Sequence, residues 1–328
     1  MFKDILVPLD GSSRSEQAIT LAAHIARANH STIHLMRSVE LMSIYSMQTI
    51  GMMERVQQLE EQGAKNYLNH IKNSAPLEHI STMTSVYVGD ASSAILEAVA
   101  RRNIDLVVLC SHGYTGLKHW VLGSVAQKIA RACPAPVLIQ RAEHPLPLAV
   151  DAEGQPIFRV CIALDGSEQA EAVIEPAMAI ASACGAGHRA EIHLLRVIEP
   201  LNLSDEEAFE EIYHLNLQDL IRQQAQQYLQ EVVKRLEPAA RAYENIEIIG
   251  NLKSGADIAQ EIIQYAENGG ANQYPTCQLL AMTTHGRNNI DRWIFGSIAE
   301  RVLNRTKLPL LIMRPLQPAT PIKAQPVQ

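Results

Sequence analysis

The sequence predicts an α/β protein with two doubly wound domains in tandem, each with a five-stranded parallel sheet, packed on each other as a pseudo-dimer. Two observations lead to this fold class. Short apolar runs alternate with segments of helical periodicity, and the same series of motifs occurs twice along the 328 residues. Alternating strands and helices are typical of a parallel sheet with helices on both faces. The length also fits two domains of roughly 150 residues each.

Four motifs of the first half recur in the same order in the second half. With the first copy before the second, they are ILVPLDGS (5–12) and CIALDGS (161–167), HLMR (34–37) and HLLR (193–196), SHG with GS (111–113, 123–124) and THG with GS (284–286, 296–297), and PVLIQR (136–141) and PLLIMR (309–314). The offset between the copies grows from 155 residues at Asp10 and Asp165 to 173 residues at Gly123 and Gly296. The chain is therefore a tandem duplication with insertions between the motifs of its second copy.

Each element of the first half follows from its local pattern. Apolar runs bounded by turn residues predict strands buried on both faces, and apolar residues at three- and four-residue spacing predict helices. The predicted strands are 5–9, 32–36, 83–88, 106–110 and 137–140, and the predicted helices are 13–29, 52–73, 91–101 and 124–132. The second half repeats the scheme, with a longer helical segment at 208–236.

The domain organisation follows from the repeat and from two proline-containing segments. We expect a first domain at residues 1–142, a linker at 143–156, a second domain at 157–315 and a disordered tail at 316–328. Duplication of a self-associating domain preserves its two-fold contact, so the closing strands of the two halves are the expected seam. These strands would otherwise expose an apolar sheet edge. Further dimerisation of the whole chain stays open.

Composition excludes several classes of protein. A net charge of −7, with 47% hydrophobic and 19% charged residues, is typical of a globular protein, and the absence of a Lys/Arg block disfavours nucleic-acid binding. No apolar stretch approaches the roughly 20 residues that span a bilayer, and Asp4 and Pro8 interrupt the first apolar run, which argues against a signal peptide. Five scattered cysteines without a C-x-x-C pair disfavour disulfides and structural zinc. We expect a cytoplasmic protein.

Two motifs in each half are candidates for ligand binding. Asp10 and Asp165 follow the first strand of each half, where ligands of parallel sheets gather, although a role limited to capping the next helix is the alternative. Gly123-Ser124 and Gly296-Ser297 open a helix whose free N–H groups attract anions. The same glycine spacing after a strand and before a helix, found twice, predicts a phosphate cradle.

Dedicated catalysis is not indicated. The sequence has no Walker A motif, no G-x-G-x-x-G after a strand and no G-x-S-x-G elbow. Each copy offers one loop histidine, His112 or His285, without a second metal ligand nearby, so we expect these side chains to orient the loop. The loop cations Lys118, Arg287 and Arg292 have no assigned partner. We expect no catalytic residues and no metal site, and any hydrolysis of a bound phosphate ligand should be slow.

The segment 41–53 contains four methionines. Because methionine adapts to irregular surfaces, this segment is either a pliable cover over a ligand or hydrophobic partner, or packing at the junction between the halves.

Taken together, ILVPLDGS, IHLMRSV, CSHGYTGLKHWVLGS and PAPVLIQR resemble a universal stress protein domain, and CIALDGS, IHLLRVI, TTHGRNNIDRWIFGS and LPLLIMR resemble a second one. The resemblance implies an adenine nucleotide alpha hydrolase-like fold and, for one branch of the family, ATP binding through G-x-x-G, nine residues and G-[S/T]. The positions it implies for nucleotide binding are Pro8, Asp10, Ser38, Leu109, His112, Gly113, Gly123, Ser124 and Val125 in the first half, and Ala163, Asp165, Val197, Met282, His285, Gly286, Gly296, Ser297 and Ile298 in the second. The first glycine of that pattern is replaced by Cys110 and Thr283, whose side chains either crowd the ribose or turn toward the sheet.

The function that the resemblance implies is that of an ATP-binding, nucleotide-responsive stress or regulatory protein, with Mg²⁺ held through the phosphates. The alternative is a nucleotide-independent protein-interaction or chaperone-like module with relic loops, whose Met-rich segment binds a protein partner. An enzyme that forms adenylated intermediates is a third reading, but its catalytic motifs are missing.

Overall fold

The computed structural model describes residues 2–40, 50–111, 122–141, 148–151, 154–185, 187–201, 216–243, 245–268, 276–285 and 295–315. The elements of the first half are β1 (Asp4–Pro8), α1 (Ser13–Asn29), β2 (Thr32–Val39), α2 (Ile50–Lys72), a 3-10 turn (Ala75–Leu77), β3 (Thr82–Val88), α3 (Ala91–Arg102), β4 (Leu106–Cys110), α4 (Ser124–Ala132) and β5 (Val137–Gln140). After a short strand β6 (Ala149–Val150), the second half contains β7 (Pro156–Leu164), α5 (Glu168–Glu171), α6 (Ile174–Gly185), β8 (Arg189–Ile198), α7 (Leu217–Ala242), β9 (Ile246–Ser254), α8 (Ile258–Asn268), β10 (Leu279–Thr283), α9 (Ser297–Arg305) and β11 (Leu310–Met313).

The strands of both halves join in one sheet in the order β3-β2-β1-β4-β5-β11-β10-β7-β8-β9, with β6 paired to β7. All pairs within each five-stranded half are parallel, whereas β5 and β11 pair antiparallel at the centre. At this seam Leu138 lies opposite Leu311, its own counterpart in the repeat. A residue that faces its own counterpart marks a two-fold axis, so the predicted tandem fold and its pseudo-dimer are confirmed.

The hydrophobic core continues across the seam on both faces of the sheet. One buried cluster combines residues of α1 and α2 with residues of α6 and α7, and the opposite cluster combines α3 and α4 with α8 and α9. Leu138 and Leu311 are fully buried at the centre. The two halves are therefore packed against each other through a shared apolar interior.

The structure corrects several sequence-based boundaries. The long helix of the second half, α7 (Leu217–Ala242), ends beyond the predicted end at 236, and the predicted residues 208–215 lie outside the described residues. The segment predicted as a linker contributes β6 and the first residue of β7. The prediction that every strand is buried on both faces is wrong for β3, because β3 is an edge strand whose Met83 and Val88 side chains are 52% and 42% exposed. Residues 41–49 of the Met-rich segment and the tail 316–328 lie outside the described residues. Within the described ranges, no helix is long and apolar enough to cross a membrane.

Candidate functional site

A cleft opens in each half where the central strands end at their carboxyl ends. The first cleft has a volume of about 360 Å³ and the second about 510 Å³. Both volumes lie in the range of small-molecule sites. The position beyond the carboxyl ends of parallel strands is where open α/β sheets bind ligands.

Most of the predicted site residues line these clefts. In the first cleft they are Pro8, Asp10, Ser38, Leu109, Gly123, Ser124 and Val125, and in the second Ala163, Asp165, Val197, Met282, His285, Gly296, Ser297 and Ile298. His112, Gly113 and Gly286, and the loop cations Lys118, Arg287 and Arg292, lie outside the described residues. The structure thus brings the described candidates together, and their binding of a nucleotide stays a prediction.

The Asp-Gly-Ser turn at each cleft is built around the aspartate. Asp10 Oδ1 accepts hydrogen bonds from the Ser12 backbone N–H at 2.9 Å and from the Ser12 hydroxyl at 2.6 Å, and Ser12 Oγ accepts from the Ser15 N–H at 3.2 Å. Asp165 and Ser167 repeat the first two contacts at 3.0 and 2.6 Å. Each aspartate therefore fixes the turn while it lines the cleft, and the serine two residues later caps the helix.

The glycine that opens α4 or α9 ties the start of the helix to the end of a strand. The Gly123 N–H donates to Ser111 O at 2.8 Å, and the Gly296 N–H donates to Thr284 O at 2.9 Å. Unlike α1, which Ser12 caps, these two helices begin at a glycine, which has no side chain to cap them. Their first-turn N–H groups therefore face the clefts with the positive end of the helix dipole.

Gly296 is also a position of close approach. A Cβ atom placed there would lie 3.0 Å from the Thr284 carbonyl oxygen, which already accepts the Gly296 N–H. Any larger residue would push the start of α9 away from the end of β10. The glycine therefore fixes the distance between the strand end and the helix N-terminus.

An ion pair braces each of these helices against the helix that precedes it. Lys128 Nζ of α4 lies 3.8 Å from Asp90 Oδ1, and Arg301 of α9 pairs with Asp257. The pKa of Asp90 is lowered chiefly by the Ser93 backbone hydrogen bond, and that of Asp257 chiefly by Arg301. Sequence reasoning missed these residues, since α3 and α8 carried no motif.

A second feature that sequence reasoning missed lies beneath the Asp-Gly-Ser turn of the first half. The Arg37 guanidinium stacks over Tyr67, with Cζ 5.0 Å from the ring centroid, and the Tyr67 hydroxyl donates to Glu16 at 2.9 Å. A Cβ at Gly11, which has φ +91°, would lie 3.1 Å from the guanidinium. The pKa of Tyr67 is raised, first by burial and then by Glu16. This triad joins the turn to α1 and α2.

The second half repeats the triad. Arg196 Cζ lies 5.1 Å from the centroid of Tyr228, whose hydroxyl donates to Glu171 at 2.9 Å, and Arg235 also pairs with Glu171. The pKa of Tyr228 is raised by burial and by Glu171. The arginine shared by HLMR and HLLR was the available signal, but its tyrosine and glutamate partners lie on helices without a recognisable motif.

The histidine of the HLLR motif, His193, belongs to a buried polar cluster away from the cleft. His193 Nδ1 lies 2.7 Å from the Tyr265 hydroxyl and Nε2 lies 3.2 Å from Glu191, which accepts from Arg159 Nε at 2.6 Å. Hydrogen bonds from His193 and then from Arg159 lower the pKa of Glu191 to about 2. In the first half His34 Nε2 similarly lies 2.6 Å from an aspartate oxygen. These histidines stabilise strand pairs in the interior.

The residues that replace the first motif glycine do not resemble each other in chemistry. Thr283 turns its hydroxyl to the backbone, donating to His285 O at 2.8 Å. Cys110 lines the first cleft, and burial raises the pKa of its thiol to about 12, which keeps it protonated at neutral pH. All five cysteines are free thiols, and the described residues contain no group of three His, Cys, Asp or Glu side chains that could hold a metal ion.

The repeated α/β domain with its cleft corresponds to a known protein family. The model of the "Universal stress protein family" matches residues 1–141 and again residues 156–314. The chain therefore belongs to the universal stress protein family and contains two of its domains in tandem.

Similar proteins agree with this assignment. A universal stress protein of Methanocaldococcus jannaschii is 27% identical over 139 residues, which cover 42% of this chain and 82% of the relative. Universal stress protein YxiE of Bacillus subtilis is 30% identical over 149 residues, 43% of this chain and 100% of the relative. A universal stress protein structure from Archaeoglobus fulgidus matches with a TM-score of 0.62 at 18% identity over 95% of this chain and 98% of that one. The tandem fold therefore has a counterpart that spans almost the whole chain.

Proposed function

We propose that each half binds an adenine nucleotide, ATP, in its cleft, and that the protein is a nucleotide-responsive stress or regulatory protein. One observation carries the proposal. At both clefts a helix begins at a glycine, which has no side chain to cap it, beside the end of a strand. Its first-turn N–H groups therefore face the cleft that the candidate residues line. Such a helix end favours phosphate groups.

In this proposal the phosphates lie against Gly123-Ser124 and Gly296-Ser297, where the N–H groups and the helix dipole favour negative charge. The apolar walls that Leu109 and Met282 provide receive the base and ribose. Mg²⁺ would be held through the phosphates of the nucleotide. ATP should bind more tightly than AMP, because more of its charge reaches the helix N-terminus.

The proposal includes no dedicated catalysis. Phosphoryl transfer requires positioned charge around the γ-phosphate, such as Mg²⁺ ligands and an arginine clamp. The acidic residues that line the described part of the clefts are Asp10 and Glu40 in the first and Asp165 and Glu199 in the second, and the two aspartates are engaged in their turns. We also propose a cytoplasmic location, for which the five free thiols are the support.

Mass spectrometry of the ligand released from gently purified full-length protein tests this proposal. We expect an adenine nucleotide in the released fraction, and ATP should displace it from the protein more readily than AMP. Protein that releases no nucleotide and does not retain added ATP would favour the nucleotide-independent interaction module instead.

A further inference from the structure

One side chain of the first half reaches the phosphate-facing helix of the second half. Arg131, in the last turn of α4, forms an ion pair with Glu300 of α9, and its guanidinium lies over Phe295 with Cζ 5.4 Å from the ring centroid. Phe295 is buried and directly precedes Gly296, the first residue of the proposed phosphate site. Arg131 therefore contacts α9 on both sides of the glycine that opens the helix.

The charge that Arg131 meets is unfavourable for an anionic ligand. Glu300 lies three residues after Ser297, which is about 4.5 Å along the helix axis from a residue that lines the second cleft. A carboxylate in the first turn stabilises the helix itself but repels phosphate at the same N-terminus. The guanidinium of Arg131 offsets that repulsion.

The repeat supplies an internal comparison. With the 173-residue offset of this region, Gln127 corresponds to Glu300, and Asn304 corresponds to Arg131. The two-fold axis at the seam relates the two pairs, so one half has an acid opposite a base where the other has two neutral amides. The base Arg131 thus occurs together with the acid Glu300, and the symmetry-related pair has neither charge.

Folding stability alone is a weak explanation for this pair. The Arg131 and Glu300 side chains are 42% and 43% exposed. Ion pairs at this exposure contribute at most about 1 kcal/mol to stability. Their effect on the local potential at the start of α9, by contrast, acts directly on an anion bound there.

We propose that Arg131 is a positioning residue of the second cleft, supplied by the first half: it neutralises Glu300 and holds Phe295 against the start of α9, so that polyphosphate binding in the second cleft depends on the first half. The first cleft has no such requirement. Helix α4 thus takes part in both sites, since its first turn lines the first cleft and its last turn contacts α9. This inference rests on the proposed nucleotide binding.

The test uses ATP titrations of full-length protein in which one cleft is disabled at a time. Ser124→Asp disables the first cleft, so that binding to the second is measured, and Ser297→Asp disables the second, so that binding to the first is measured. Arg131→Gln should weaken ATP binding in the second cleft about two- to five-fold, the size expected for one unit charge several ångströms away in a screened setting. It should leave the first cleft unchanged. The loss should be smaller for AMP.

Two further variants separate electrostatics from bracing of the seam. Adding Glu300→Gln to Arg131→Gln should restore ATP affinity in the second cleft, because the uncompensated carboxylate is gone, and Asn304→Ala is the symmetry-related control with no effect on either cleft. An unchanged second cleft in Arg131→Gln, equal losses in both clefts, or a double variant as weak as Arg131→Gln would overturn the inference. If the parent protein bound no ATP, the proposed function itself would fail.

Discussion

A negative charge at the first residue of α4 and α9 should separate anion binding from folding. Ser124 and Ser297 are exposed, line the two clefts and occupy the first helical position. An aspartate there fits the space of the serine and interacts favourably with the helix dipole, which is worth about 0.3 to 1 kcal/mol at each helix. The double variant Ser124→Asp with Ser297→Asp should therefore be as stable as the wild type or slightly more stable.

The same charge should oppose a phosphate bound at the helix N-terminus. Two unit charges roughly 5 Å apart repel each other by about 1 to 3 kcal/mol for effective dielectric constants between those of water and a protein surface. That energy corresponds to about a five- to 150-fold loss of ATP affinity. In the variant the stability of the ligand-free protein should therefore rise while the affinity for ATP falls.

Isothermal titration with ATP and thermal unfolding without ATP measure the two effects on the same preparation. Ser124→Asn with Ser297→Asn is the matched control, because it changes the side chain without adding charge and should bind ATP close to the wild-type level. Unchanged ATP affinity in the aspartate variant, or an equal loss in the asparagine control, would refute phosphate binding at these helix ends.

Three further predictions concern the triads and catalysis. Tyr67→Phe should lower the free energy of unfolding by about 1 to 2 kcal/mol in urea titrations, because the Glu16 carboxylate loses the hydroxyl that donates to it. Tyr228→Phe should cost less, since Glu171 keeps Arg235 as a partner, and equal costs would contradict this reasoning. The pKa values of both tyrosines are raised, so the fold favours their protonated form. The stability that they contribute is therefore complete below about pH 10 and is lost as the pH rises further. Above about pH 10 the urea midpoint of the wild type should fall more steeply with pH than that of the double phenylalanine variant. ATP turnover should lie far below the roughly 1 to 10³ s⁻¹ of dedicated enzymes, and a rate of about 10 s⁻¹ that follows the protein through purification would contradict the absence of a catalytic apparatus.

The predictability of the fold differs between the centre and the edges of the sheet. The central strands are apolar and bounded by turns, so β4 and β5 match their predicted ends, and the apolar closing strands indicated the seam. The edge strand β3 was misjudged because an apolar run alone does not tell whether a neighbouring strand covers its edge. The end of α7 was misplaced because Pro238 follows the predicted end and a proline usually stops a helix, whereas α7 continues through it to Ala242.

The parts of the candidate site that neighbouring residues form were predictable from the sequence. The Asp-Gly-Ser turn and the glycine at each helix start are local, so a single sequence indicates them. The triad of Arg37, Tyr67 and Glu16 joins residues from three elements and depends on tertiary packing. The contact of Arg131 with α9 joins residues 169 positions apart across the seam, and no local pattern indicates it.

Binding stoichiometry tests the central claim of two phosphate-facing clefts in one chain most directly. Protein stripped of bound ligand by partial unfolding and refolding should bind ATP with Mg²⁺ in isothermal titration calorimetry at two sites per chain. Ser124→Asp and Ser297→Asp should each weaken one of them by about five- to 150-fold. Two sites of wild-type affinity that fall to one in either single variant are the predicted result. No heat with ATP in folded protein, or two sites that persist in both variants, would contradict the account.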